Sequence, residues 1–558
     1  MALCAALRLP IGIDSFEKIR SNGSYYIDKT RFIEELLNDS FEVMLFTRPR
    51  RFGKTLMLQT LESFFGIGKE GRQLFEGLYI SEKTELCDEW MNNYPVISVS
   101  FKDIEGSCFD DAYGMLCSVT ARMYMKHSEA FESLSVNERD YYGRIVSEKA
   151  SERDIKNSLY VLSSALYRYY GKRVIVLIDE YDVPLAKADE NGYYDRMLGI
   201  VRSIFSQALK GNDTLMFAVV TGCLRVARES IFTGANNFKT NTVYDDKYSG
   251  YFGFTREEVG KLLADAGLYG EQERIKRWYD GYRFGNTEIY CPWDVINCVG
   301  DLSEDPSREL KNYWKNTSHN SIIRRFVDRS DLFVNEKFES LLNGGYVRTE
   351  ICDDLTYDVM HSSEENLWTI LYMTGYLTMA AEQSREDGVK VLNLVIPNEE
   401  IKLIFKETVV KWFRDRIITV DRSSLFKAFR EGDAETVSDI VSDLLFDTIS
   451  YHDYKESYYH AFLTGIFTGA GYAVESNFES GLGRPDIVVK DNPSRTVIII
   501  EVKYTKNARE LHAEAEAALE QISARKYTEG FKRLYRNILV YGAAFCGKEC
   551  LFLTDRDR

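Results

Sequence analysis

Proline is scarce in this 558-residue chain, with 9 in all, and no stretch is low in complexity. Long flexible linkers are thereby excluded, and the domains are expected to pack closely. Histidine is scarcer still, at 6, and none of the 10 cysteines forms a C-x-x-C pair. Zinc-finger patterns are excluded, and the cysteines read as reduced, mostly buried side chains of a cytoplasmic protein. No apolar run approaches the ~18 residues of a membrane span. The opening MALCAALRLPIG is too short and too loosely patterned for a secretory signal. Basic residues are in deficit: 70 Lys+Arg stand against 86 Asp+Glu, a net charge of −16. Over the whole surface, that is the wrong sign for a nucleic-acid binder.

What is present is ordinary for a globular protein, with 45% hydrophobic and 28% charged residues. The length suggests two to four domains. Apolar strand-like runs alternate with helical patterns over residues 1–250: VMLFT (43–47), PVISVSF (95–101), RVIVLID (173–179) and LMFAVVTG (215–222). That alternation predicts an α/β domain with a parallel sheet. Residues 251–450 read as a mostly helical linking region. GFTREEVGKLLADAG has a capping box at Thr255 and Glu258, and ENLWTILYMTGYLTMAA and EEIKLIFKETVVKWFRDRI follow as helices. Residues 451–558 return to a mixed α/β pattern, with helices at 456–470 and 507–526 and strands at 486–490, 496–503 and 536–545.

The first chemical site lies between the first strand and the next helix. Gly53-Lys54-Thr55 matches the end of a G-x-x-x-x-G-K-[ST] phosphate loop, with Arg48 in the place of the first glycine. Gly53 permits the turn that points N–H groups at phosphates. Lys54 neutralises phosphate oxygens, and the Thr55 hydroxyl reaches Mg²⁺. A buried strand then ends in Asp179-Glu180, where ligands sit in open α/β sheets. Asp179 would hold the metal, and Glu180 would orient or deprotonate the attacking water. Thr221, at the end of the following strand, suits a γ-phosphate sensor. Arg51 and Arg225 complete the candidate nucleotide contacts. Arg225 or Arg228 could reach a phosphate of this or a neighbouring subunit, which would imply a homo-oligomer.

The second site is a hairpin. Asp491, Asn492, Pro493 and Ser494 are turn formers. A turn centred between Pro493 and Ser494 sets Asp486 opposite Glu501, and Lys503 on the same face. Two carboxylates and a lysine at one patch form a hard-oxygen site for Mg²⁺, with the lysine placed to activate water or stabilise phosphate charge. Glu456 on the preceding helix could add a metal ligand, and the following helix carries Gln521.

These strings resemble two known families. Residues 450–558, with GRPDIVV and IIIEVK, resemble a PD-(D/E)XK nuclease domain, a restriction-endonuclease-like α/β fold. Residues 8–285 resemble the AAA-ATPase-like domain fused to such nucleases, through IGIDSFEKIR, YYIDKT, RPRRFGKTL, VIVLIDEYDVPL, YFGFTREEV, WYDGYRFG and, just beyond, YWKNTS. In that family RPRRFGK is the usual loop. The resemblance implies ATP at Gly53, Lys54 and Thr55, metal and water residues at Asp179 and Glu180, and a nuclease site at Asp486, Glu501 and Lys503. Glu456 and Gln521 match auxiliary positions. The expected function is an ATPase coupled to a metal-dependent nuclease acting on DNA or RNA. The alternative is a nucleotide-gated protein that binds nucleic acid without cutting it. Residues 451–558 carry 15 basic and 15 acidic side chains, so the whole acidic excess lies before residue 451. Arg48, Arg50, Arg51 and Lys54 are expected to make the phosphate loop locally basic. Nucleic-acid binding is expected to be salt-sensitive and metal-dependent.

Overall fold

The structure, a computed structural model, describes residues 7–69, 71–224, 237–314, 337–338, 340–352, 355, 363–380, 391–406, 423–446, 456–469, 472–476 and 485–555. The chain divides into two compact units, Met1–Ser318 with Val347–Ile401 and His319–Tyr346 with Lys402–Arg558.

In the first unit, five parallel strands form one sheet: β1 Val43–Thr47, β2 Val96–Ser100, β3 Val174–Asp179, β4 Leu215–Gly222 and β5 Phe238–Asn241. All four predicted runs are strands. β1 and β3 are buried at every position, as continuous apolar runs covered on both faces require. The spatial order is β2-β3-β4-β1-β5. β4 therefore lies between the strand that feeds the phosphate loop and the strand that ends in the acid pair. All three present their carboxyl ends at the same sheet edge.

The middle of the chain is rich in helices and also holds small sheets. The Thr255–Glu258 capping box forms as expected at the helix Arg256–Asp265. Glu258 serves twice, because it also pairs with the half-buried Lys29 at 2.6 Å. A short hairpin joins β6 Tyr282–Phe284 to β7 Thr287–Ile289. The run ENLWTILYMTGYLTMAA is helical only over Glu364–Met373. Gly375, at φ 87°, stops it in the left-handed region that glycine adopts freely. The chain then enters an antiparallel sheet of β8 Val347–Glu350, β9 Thr378–Met379 and β10 Val391–Val395, in the order β8-β10-β9. EEIKLIFKETVVKWFRDRI is helical through residue 406, beyond which it lies outside the described residues.

The second unit is a sheet between helices. Its strands are β11 Ala473–Ser476, β12 Ile487–Asp491, β13 Thr496–Tyr504, β14 Asn537–Cys546 and β15 Glu549–Thr554, in sequential order. Only β13 and β14 are parallel. The alternation along β12 and β13 sorts their side chains. Ile487, Val489, Ile498 and Ile500 pack with Phe429, Val437, Val441 and Leu463. Val488, Val497 and Ile499 pack with Leu519, Ile522 and Phe531. The helices Ser423–Glu431 and Ala434–Phe446, which the sequence pattern puts in the middle region, thus share the core of the C-terminal sheet.

Candidate functional site

After β1 the chain turns through residues 48–53 into the helix Lys54–Phe65. Gly53 completes the turn at φ 83°, and Arg51 is left-handed too, at φ 70°. For arginine that conformation costs about 1 kcal/mol. The first N–H groups of the helix have no side-chain cap and face the loop. Lys54 Nζ is almost fully buried and donates to the carbonyl oxygens of Arg48 and Pro49, each at 2.9 Å.

Asp179, only 5% exposed, is engaged from two other elements. Thr55 Oγ1 donates to its Oδ2 at 2.7 Å and Thr221 Oγ1 to its Oδ1 at 2.5 Å. Three residues singled out from sequence thus converge on one carboxylate. A hydroxyl and a carboxylate are the hard oxygen donors that Mg²⁺ takes, so the donor chemistry fits that ion. Glu180 follows at φ 50°, a strained conformation for a non-glycine residue at the end of a functional strand. Burial pushes its carboxyl up, Lys54 pulls it back down, and Asp179 adds to the rise. Arg225 and Arg228 lie outside the described residues. The two residues after Glu180 were not legible as functional. The Tyr181 hydroxyl donates to the Leu224 carbonyl at 2.8 Å, and Asp182 Oδ2 accepts from the N–H groups of Cys223 and Leu224 at 3.0 and 2.9 Å. Gly222 is needed beneath them, since a Cβ there would stand 2.5 Å from the Tyr181 ring.

Arg48 corrects its share in the expectation of a locally basic loop. Its side chain is fully buried and is absent from the cavity beside the loop. Nη1 donates to the carbonyls of Thr47 and Asn241 at 2.8 and 2.9 Å, and the guanidinium lies over the rings of Phe252 and Phe284. Burial lowers its pKa to about 10. Arg48 therefore bolts the loop to the end of β5. Arg48→Ala is expected to destabilise the first unit by about 2–4 kcal/mol, through the cavity and the two abandoned carbonyls. The urea unfolding midpoint measures this, and a loss under ~1 kcal/mol would deny the arginine that role.

The rest of the loop rests on aromatic residues from two distant motifs. Phe52 packs on Tyr282 and Phe284 of WYDGYRFG. Tyr282 stacks in turn on Trp314 of YWKNTS. Arg51 lies over Trp293 and Trp314 and donates to the carbonyls of Tyr313 and Trp314 at 3.4 Å. Beside the loop opens a cavity of about 360 Å³. Its walls are the segments 51–57, 10–14 and 25–29, together with Tyr251, Phe254, Trp293, Ile296 and Asn297. IGIDSFEKIR and YYIDKT thus acquire a place that their composition did not reveal.

In the second unit, β12 and β13 pair Ile487 with Ile500 and Asp491 with Thr496, the register the turn residues predict. Asp486 N–H donates to Glu501 Oε2 at 3.3 Å, and Val502 N–H donates to Asp486 Oδ2 at 2.9 Å. Gln521 Nε2 donates to Glu501 Oε1, and Lys503 Nζ stands 3.9 Å from the same oxygen. Glu501 is only 2% exposed. Two carboxylates, one of them buried beside an apolar strand, again fit a hard divalent cation. His460, missed from sequence, holds the Asp486 carbonyl through Nε2 at 2.6 Å. Glu456 opens the helix Glu456–Gly469, and its side chain lies outside the described residues. Among the described residues, no three His, Cys, Asp or Glu side chains gather at one point. No described helix is long and apolar enough to cross a membrane.

Residues 10–232 match the family model described as predicted AAA-ATPase, and residues 454–554 match that of the PD-(D/E)XK nuclease superfamily. An Azotobacter chroococcum mcd 1 protein, described as an uncharacterized protein in the vnfD 5′ region, is 24% identical over 549 residues. That alignment covers 96% of each chain.

Proposed function

From a chain that joins a predicted AAA-ATPase domain at residues 10–232 to a PD-(D/E)XK nuclease domain at residues 454–554, we propose an ATP-binding ATPase coupled to a Mg²⁺-dependent nuclease. The observation that carries the first half is the Asp179 carboxylate, engaged at once by Thr55 and Thr221. The second half rests on Glu501, whose carboxylate accepts from the Asp486 N–H and from Gln521 and has Lys503 beside it, while the Asp486 carboxylate accepts from the neighbouring Val502 N–H.

In the ATPase unit, the cavity beside the loop takes the base and ribose, while the N–H groups of the loop and helix start take the phosphates. Lys54 leaves the carbonyls of Arg48 and Pro49 for the β and γ oxygens. Thr55 and Asp179 hold Mg²⁺, which when bound neutralises phosphate charge. Thr221 faces the γ-phosphate across Asp179, and Glu180, its proton affinity raised by burial, accepts the proton of the attacking water. Arg51 contributes positive charge at the cavity wall.

In the nuclease unit, Asp486 and Glu501 would hold Mg²⁺, which would supply Lewis acidity and a lowered water pKa. Gln521 keeps Glu501 oriented, and His460 keeps the Asp486 backbone in register. Lys503 stabilises charge on the phosphate as the bond to the leaving oxygen breaks. The substrate is nucleic acid.

The test is a cleavage assay on single- and double-stranded DNA and RNA, with and without ATP and with and without Mg²⁺ or Mn²⁺. Metal-dependent cutting of at least one substrate is expected. Metal-dependent binding with no cutting of any of the four would replace the nuclease reading with nucleotide-gated binding.

A further inference from the structure

Behind Arg51 lies a buried acid pair that the reaction does not use. Asp294, in the first turn of the helix Pro292–Glu304, and Glu400 are both fully buried. They lie within hydrogen-bonding reach of each other. Glu400 Oε1 accepts the N–H groups of Tyr313 and Trp314 at 2.5 and 2.9 Å. Those are the two residues whose carbonyls receive the Arg51 guanidinium. Among the described residues, Oε2 of Glu400 accepts from no other group, and Asp294 has the Cys291 thiol as its other side-chain partner. Two facing carboxyls in such a place are satisfied when one carries the proton and donates it to the other. Burial pushes both groups up, and the neighbouring Asp294 charge pushes Glu400 further. Glu400 is therefore the protonated partner, while the helix start favours charge on Asp294.

We propose that Glu400 is a positioning residue for the phosphate loop: it fixes the Tyr313–Trp314 backbone, and that backbone holds Arg51 at the nucleotide cavity. The YWKNTS motif then has a physical task. Its Trp314 ring lies under the Arg51 guanidinium and its peptide groups bridge Arg51 to Glu400. Asn398 secures the other side, with its Nδ2 on the Asp280 carbonyl and its Oδ1 on the Ile401 N–H.

This inference rests on the ATP reading above, so the test carries a control for that reading. The full chain is titrated with a fluorescent N-methylanthraniloyl ATP in Mg²⁺, as wild type, Lys54→Ala, Arg51→Ala, Glu400→Ala, Glu400→Gln and the double variant Arg51→Ala/Glu400→Ala. Arg51→Ala and Glu400→Ala are each expected to weaken binding about tenfold, and the double variant no further than Arg51→Ala alone. Glu400→Gln should stay within about twofold of wild type, since an amide accepts the same two N–H groups and donates to Asp294. If Glu400→Ala abolishes the helical circular dichroism signal, Glu400→Asp, which withdraws the carboxyl by one methylene, takes its place in the cycle. Losses that multiply in the double variant overturn the proposal, as does Glu400→Gln binding as weakly as Glu400→Ala. Wild type that binds no better than Lys54→Ala refutes the ATP reading itself.

Discussion

Glu501→Gln is expected to reduce metal-dependent cleavage by about 10³-fold or more, while ATP binding stays at the wild-type level. The carboxylate is one of two proposed to hold the metal, and among the described residues no His, Cys, Asp or Glu joins them as a third. An amide keeps the shape and an acceptor for Gln521, but it gives up the negative charge and replaces the oxygen that receives the Asp486 N–H with a donor. The same substitution should leave the fold intact, because relief of a charge only 2% exposed beside the apolar residues of β13 offsets the one lost acceptor for the Asp486 N–H. A buried charge held for chemistry is relieved when it is neutralised. Loss of cutting together with an unchanged melting temperature distinguishes a metal ligand from a structural acid. Cleavage that persists in both Glu501→Gln and Asp486→Asn would remove the nuclease assignment.

The second large effect is expected at Lys54. Lys54→Ala should weaken ATP binding by about 100-fold or more, the scale of a lost charge-assisted contact to phosphate. The ammonium donates to two loop carbonyls and lies 3.6 Å from Cys223 Sγ. It needs only to exchange those partners for phosphate oxygens. Because the loop is also held by Arg48, Phe52 and Arg51, its shape should survive the substitution. Isothermal titration with ATP and Mg²⁺ reads the loss, and the urea unfolding midpoint of the first unit serves as the folding control. Unchanged affinity would sink the phosphate-loop assignment.

The features visible in the sequence are those set by neighbours along the chain. The strands β1 and β4 have the bounds their apolar runs imply, because such runs have no solvated face to blur their ends. The Asp486–Glu501 register followed from four turn residues, since one turn fixes every pair above it. Thr55, Asp179 and Thr221 read from the sequence as parts of one nucleotide site, and the strand order brings them together. What escaped was non-local. Nothing near Arg48 says that its guanidinium lies between Phe252 and Phe284, or that Glu400 accepts N–H groups from residues 313 and 314. Burial of a charged side chain depends on what the remainder of the fold supplies, and single-chain pattern holds no record of that. The small sheet β8-β10-β9 escaped because Gly375 ends the preceding helix and β9 is only the two residues Thr378–Met379.

The position of Gly375 has a bearing on synthesis. A side chain there would strike Pro49 at 2.8 Å, so the phosphate loop is closed from beneath by a segment made more than three hundred residues later. Between the two, the growing chain passes through His319–Tyr346, which belongs to the other compact unit. Domains fold as they emerge, N-terminal parts first. Here the loop leaves the ribosome early but waits for Trp314, Gly375 and Glu400 before its support is complete. Nascent chains therefore carry the Gly53-Lys54-Thr55 motif long before it has the packing that shapes it.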